Sequence, residues 1–154
     1  MAFEFRSALK TDAGAISELA LALCEKFIFP GISTGGRKKL EILYSQMNLE
    51  SLIETGNPFF TARFADELVG AAAMKKENRH IFLMFVAEHF QRRNLGSTLV
   101  MKLLSIQHEQ PTITLNSSLF ATEFYKSLGF NPSGPVERKH GVVFLPMRFS
   151  EKSK

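Results

Sequence analysis

The stretch Val86-Ala87-Glu88-His89-Phe90-Gln91-Arg92-Arg93-Asn94-Leu95-Gly96-Ser97 sets cationic, amide and small residues where an apolar run gives way to helical spacing. A helix opening there presents unsatisfied N–H groups and the positive end of its dipole, and both attract phosphate oxygens. Gly96 has no side chain to keep a ligand off the backbone, and Asn94 tolerates a left-handed conformation. Gln91, Arg92 and Arg93 add donors and positive charge at the mouth; Leu95 and Ser97 complete the turn. A strand–helix junction in which Gly96 only permits close packing has the same composition. The turn alone therefore specifies an anion site and no particular anion. It is not a P-loop, because no Gly-Lys-Ser/Thr follows, and the three-glycine dinucleotide spacing is missing.

Other reactive side chains are sparse. Cys24 falls at helical spacing with Ala20, Leu23 and Phe27, which reads as a buried structural thiol rather than a nucleophile. Glu77, His80, Glu88 and His89 can all move protons, but each reads first as solvent-facing. No cluster with metal-ligand spacing occurs, so no metal is expected.

The elements that must carry the turn follow from periodicity. Phe3 to Leu9 reads as a first strand, and Thr11-Asp12 offers side-chain caps to a helix along Ile16, Leu19, Leu23 and Phe27. After the loop Phe29–Gly36, one further helix is expected, with Leu40, Leu43, Tyr44 and Met47 on its face. Phe59–Ala65 and Leu68–Met74 flank a hairpin turn at Asp66-Glu67, and His80–Val86 is apolar throughout, hence a central strand. Leu95 to Ile106 is expected to be the longest helix, ended before Pro111; Thr112–Asn116 is a strand, and Leu119–Leu128 a helix capped by Gly129. Pro146 in the last strand, Val142–Phe149, argues for an edge position or a bulge. The expected fold is α/β, a mixed central sheet with helices on both faces, in the order β-α-α-β-β-β-α-β-α-β. It forms a single domain over residues 1–150, with a basic tail at 151–154.

The chain of 154 residues suits one core. Nineteen Lys and Arg against fifteen Asp and Glu leave a formal charge of +4. That mild excess suits an anionic ligand and argues against a nucleic-acid partner, which calls for a concentrated basic stripe. A lone Cys24, no apolar run of the roughly 18 residues a membrane span needs, and no signal-peptide pattern point to the cytoplasm and to no membrane partner. Monomer and homodimer both stay open.

Two motifs together narrow the ligand. Gln91-Arg92-Arg93-Asn94-Leu95-Gly96 resembles the cofactor motif Gln/Arg-x-x-Gly-x-Gly/Ala of the GNAT superfamily of N-acetyltransferases, with Asn94 at the first glycine. Asn116-Ser117-Ser118-Leu119-Phe120-Ala121 followed by Phe124-Tyr125-Lys126-Ser127-Leu128-Gly129-Phe130 resembles that family's Asn-x-x-x-x-Ala-x-x-Phe-Tyr-x-x-x-Gly-Phe signature. The resemblance implies the GNAT fold and acetyl-CoA as co-substrate, its pyrophosphate on Gln91–Ser97 and its pantetheine arm between splayed strands. It implies Tyr125 as the acid that protonates the leaving sulfur, with Phe124 beside it. It further implies that the Val86 N–H, released at a bulge, faces the oxyanion, that Met84 and Val86 line the pantetheine path, and that Asn116 contacts pantetheine or a site water.

The implied reaction is N-acetylation of a primary amine by direct attack in a ternary complex. The acceptor is a small-molecule or peptide amine whose pocket is expected from Phe27–Ser33, the second helix and Phe59-Phe60. Two alternatives keep the same turn: a non-catalytic acyl-CoA sensor, and an acetyltransferase directed to aminoacyl-tRNA through Arg92, Arg93 and Arg37–Lys39. The base is left open among Glu77, His80, Glu88, His89 and a water relay.

Overall fold

In the computed structural model, which describes residues 2–106, 109, 111–139 and 141–150, apolar alternation and turn chemistry generate eight strands and five helices. The tail expected at 151–154 lies outside the described residues. The strands are β1 (Glu4–Ser7), β2 (Phe59–Phe64), β3 (Glu67–Lys75), β4 (His80–Val86), β5 (Thr112–Ser117), β6 (Asn131–Pro132), β7 (Glu137–Lys139) and β8 (Val142–Ser150). The helices are α1 (Ala13–Phe27), α2 (Thr34–Leu43), α3 (Gln46–Glu54), α4 (Leu95–Leu104) and α5 (Thr122–Ser127). The sheet runs β1-β2-β3-β4-β5-β8-β6, with β7 hydrogen-bonded to β8. All neighbouring strands are antiparallel except β4 and β5, which are parallel. The mixed α/β sheet expected from the sequence is therefore present, with helices on both faces.

The two faces bury separate cores. Ala62, Val69, Ile81, Val86, Ile113 and Leu115 pack against Leu95, Leu99 and Leu103 of α4 and against Tyr125 of α5. Ala71, Ala73 and Leu83 pack on the opposite face against Ile16, Ala20 and Cys24 of α1, Tyr44 and Leu49. β4 contributes to both cores, as its uninterrupted apolar sequence requires.

Several expectations are corrected. The helix from Leu95, expected to be the longest, is α4 with 10 residues, and α1 with 15 is longer. The single helix expected after the loop is two. Tyr44 leaves helical geometry at φ −97°, ψ 14°, and Ser45 caps a new helix by accepting the Asn48 N–H at 3.2 Å. Met47 is consequently 81 % exposed and Leu49 takes the buried position. The Asp12 carboxylate does not cap α1; it accepts the Leu9 N–H at 2.7 Å and pairs with Arg63, closing a 3-10 turn over Lys10–Asp12. The β2–β3 turn is Ala65-Asp66, both at positive φ (49° and 66°).

Pro146 is neither at an edge nor in a bulge: β8 lies between β5 and β6, and its register with β5 is continuous through Asn116↔Pro146. Its carbonyl accepts the Ser133 N–H at 2.9 Å on the β6 side. In antiparallel pairing a residue's N and O point the same way, so its missing N–H removes nothing from the β5 ladder. Gly129 does close α5 at φ 103°, and the Phe130 N–H reaches back to the Tyr125 carbonyl at 3.1 Å.

Candidate active site

β4 and β5 pair only at His80↔Thr114 and Ile81↔Leu115, and beyond those two positions they separate. One cause lies on the other edge of β4. The β3–β4 register slips between Ala73 and Met74, where Ile81 and Leu83 stand opposite consecutive residues and Phe82 is the extra one. Such a bulge bends its strand and increases its twist. The Tyr44 hydroxyl donates to the Phe82 carbonyl at 2.7 Å, so the end of α2 is tied to the bulge.

The separation opens a cavity of about 610 Å³ that passes through the sheet. On the α4–α5 side it is lined by Met84, Ala121 and Tyr125; on the α1–α2 side by Ile28, Leu40, Leu43 and Tyr44. The β7–β8 hairpin contributes Glu137, Lys139 and Phe144. Two reactants can therefore meet from opposite faces.

The expected bulge at Val86 is corrected. Val86 pairs regularly with Gly70, and the bulge sits at Phe82. The amide is turned toward the gap for a different reason. The Ala87 N–H donates to the Val69 carbonyl at 2.8 Å, which makes Gly70↔Val86 a non-hydrogen-bonded pair. The Val86 N–H and C=O accordingly point away from β3, toward the separation from β5. The same alternation turns the Met84 amide that way.

The turn after β4 is shaped by two left-handed residues, Arg92 and Asn94, each at φ 63°, and Asn94 precedes the first residue of α4. Asn94 thus takes a conformation that a glycine adopts freely. Its carbonyl accepts the Thr98 N–H at 3.1 Å and the Ser97 and Thr98 hydroxyls at 3.1 and 2.8 Å. No described residue accepts the N–H groups of Leu95, Gly96 or Ser97, so the first turn of α4 keeps free donors.

Gln91 does not reach outward. Its side-chain amide donates to the Val86 carbonyl at 2.9 Å and fastens the turn to the strand. Arg93 lies over the Phe90 ring at 5.5 Å, while Arg92 is exposed. Gly96 meets both readings that its sequence position allowed. A Cβ there would stand 3.2 Å from Phe124 Cζ and 3.5 Å from Met84 Cε, so a small residue is required for packing as well.

Phe124 connects this turn to the cavity: its ring touches Gly96 on one side and sits edge-on to Tyr125, centroids 5.0 Å apart, on the other. Tyr125 is buried, lines the cavity, and its hydroxyl has no hydrogen-bond partner among the described residues. Burial raises its pKa above the usual phenol value, which keeps the proton on at neutral pH. Asn116 is exposed at the end of β5 and lines the cavity.

Among the four residues read as solvent-facing, His80 differs. Ile81, Ile113 and Leu115 face α4, so the side chains between them, His80 and Thr114, face α1 and α2. His80 Nδ1 lies 2.8 Å from Thr114 Oγ1, and the ring lines the cavity. Burial, with the nearby Lys75 ammonium, lowers its pKa below the ordinary 6.5. Glu77 and His89 are exposed, and Glu88 pairs with Lys26 at 2.7 Å.

The acceptor wall expected from Phe27, Phe29, Pro30 and Phe59-Phe60 is corrected. Phe27 is 45 % exposed, Phe29 is buried under Arg37 at 4.7 Å, and Phe59 packs on Phe82 at 5.8 Å. Ile28 and α2 do line the cavity, and the β7–β8 hairpin supplies the rest. Cys24 is fully buried and its thiol pKa is pushed up to about 12 by desolvation, as a structural thiol requires. Among the described residues no cluster of three or more His, Cys, Asp or Glu can hold a metal, and no helix is long and apolar enough to cross a membrane.

The sequence matches the family model of the acetyltransferase (GNAT) domain over residues 32–151. No curated protein matches it. In structure it is similar to a GCN5-related N-acetyltransferase from Rhodopseudomonas palustris, with a TM-score of 0.77, 19 % identity, and coverage of 98 % of this chain and 99 % of that one. It is also similar to the PaiA N-acetyltransferase of Thermoplasma acidophilum, solved with coenzyme A (TM-score 0.76, 18 % identity, coverage 98 % and 100 %). Ard1 of Thermoplasma volcanium is a third, with a TM-score of 0.76, 19 % identity, and coverage of 99 % and 100 %. At such identities these likenesses establish the fold.

Proposed function

The chain belongs to the GNAT acetyltransferase family, and from that premise we propose that it transfers the acetyl group of acetyl-CoA to a primary amine by direct attack, with both substrates bound together. The observation that carries this reading is the cavity passing through the sheet, with Met84 and Tyr125 on one face and α2 with Tyr44 on the other. The free N–H groups of Leu95, Gly96 and Ser97 suit the pyrophosphate, with Arg92 at the mouth and Asn94 setting the turn. Gln91, Arg93 and Phe124 hold the turn in place rather than grip the anion.

The amine must lose a proton before attack, since a lysine-like amine has a pKa of about 10.4. His80 is the terminal base this reading assigns, reached through a water relay, because it stands six residues from Val86 along β4, about 20 Å at roughly 3.3 Å per residue. It shares the α1–α2 face of the cavity, and with Nδ1–H donating to Thr114 its Nε2 carries the lone pair. The nitrogen attacks the thioester carbon and the negative charge collects on oxygen, for which the Val86 N–H is suited by its orientation into the gap. As the C–S bond breaks, the Tyr125 hydroxyl gives its proton to sulfur, and the surplus proton on the acylated nitrogen restores the phenol, yielding the amide and free coenzyme A. Asn116 is placed to hold the pantetheine amide or a water beside it.

Initial velocities measured while both substrates are varied test the direct route. Intersecting lines are expected. Parallel lines, the pattern of an acetylated-enzyme intermediate, would contradict it.

A further inference from the structure

The α1–α2 mouth of the cavity joins an apolar wall to a small set of charges. Ile28, Leu40, Leu43 and Val142 supply the wall. Lys39 on α2 and Lys139 on β7 stand on the lining, with Glu137 two residues before Lys139 on the same side of β7. Of the other charged groups nearby, Arg37 pairs with Glu25 at 2.8 Å and with Glu41 at 3.5 Å, and Lys75 lies over the Phe82 ring at 5.3 Å, close to His80. Among the described residues neither Lys39, Lys139 nor Glu137 has an ion-pair partner. With His80 held neutral, the charged side chains lining the cavity sum to one net positive charge, two Lys against one Glu.

We infer that the acceptor is a compact amine with an apolar body and a carboxylate, the carboxylate held by Lys39 and Lys139. The inference rests on the acetyl-transfer reading of the same cavity. A polyamine or lysine-rich peptide is the opposite case, since it would bring further positive charge against two exposed ammonium groups that have no ion-pair partner among the described residues. An apolar amine without a carboxylate would fill the wall and leave both lysines without a counter-ion.

Binding and turnover separate the two levels. Protein saturated with coenzyme A is titrated calorimetrically with matched pairs, hexylamine against 6-aminohexanoate and phenethylamine against phenylalanine, and with spermidine. The carboxylate member of at least one pair is expected to bind about tenfold more tightly, the scale of two partly exposed ion pairs. The Lys39→Gln/Lys139→Gln double variant is expected to bring that ratio near one without weakening the carboxylate-free amine, a cation that the two lysines repel. Tighter binding of spermidine or of both carboxylate-free amines, or a ratio unaltered in the double variant, overturns the inference. Carboxylate-selective binding without thiol release when acetyl-CoA replaces coenzyme A would instead strike at acetyl transfer and leave the selectivity standing.

Discussion

In the proposed mechanism Tyr125 and His80 divide the proton traffic between the two faces of the sheet. Burial acts on them in opposite senses, because it disfavours whichever form carries charge: it raises the phenol and lowers the imidazole. Tyr125 therefore stays protonated as an acid, and His80 is neutral as a base at pH 7. Replacing Tyr125 by Phe is expected to lower kcat by about a hundredfold, the lower end of general acid catalysis, with acetyl-CoA affinity within about twofold. Full activity in that variant would remove the acid assignment. For His80 the sign follows from the lowered pKa. The basic form is lost only as pH falls through a value below 6.5, so kcat/KM should decline on an acid limb lying below 6.5. His80→Gln should be slow at all pH values and lack that limb; an unchanged limb would assign the titration to another group. The same shift means that this imidazole contributes a loss of stability as pH drops below 6.5, where the unfolded chain binds the proton more readily.

At the scale of elements, the fold places one helix start and one strand separation side by side. Both follow from local features: a left-handed Asn94 opening α4, and an extra residue at Phe82 bending β4. The turn and its helix were legible in the sequence because Asn94, Gly96 and the apolar spacing of Leu95, Leu99 and Leu103 are local signals. The bulge was not, since Phe82 is one more apolar residue in an apolar run and the slip exists only relative to β3. Tyr44 was hidden for a similar reason. It has helical spacing with Leu40 and Leu43, and only the Ser45 cap breaks the helix and turns its hydroxyl to Phe82. His80 opens a strand, where exposure is expected; it is half-buried, and its partner Thr114 lies thirty-four positions on. Gly96→Glu tests the element pair together. It places a carboxylate against free helix N–H groups and a side chain against Phe124 Cζ at 3.2 Å. Loss of the thermal stabilisation by acetyl-CoA is expected, in a protein whose circular dichroism stays native. Retained stabilisation would move the pyrophosphate away from α4.

On the scale of the whole molecule, the sheet is a partition with a gap, and the two cores on its faces keep the substrates' approaches apart. The family motifs are confined to the α4–α5 face, which explains why that half could be read from the sequence. The opposite face is assembled from Ile28, α2 and the β7–β8 hairpin, segments distant in sequence that carry no motif. The alternative of an RNA-directed module keeps Arg92, Lys38 and Lys39 exposed, but two of its cations are engaged within the fold. Arg37 is held by Glu25 and stacked on Phe29, and Arg93 lies over Phe90. An acyl-CoA sensor would keep the α4 turn but has no use for a cavity continuing through to α2. The most direct test is free-thiol release from acetyl-CoA across a panel of primary amines, with the product mass recorded. Amine-dependent release matched by one acetyl group on the amine is predicted; acetyl-CoA stabilising the protein while no amine releases thiol would contradict it.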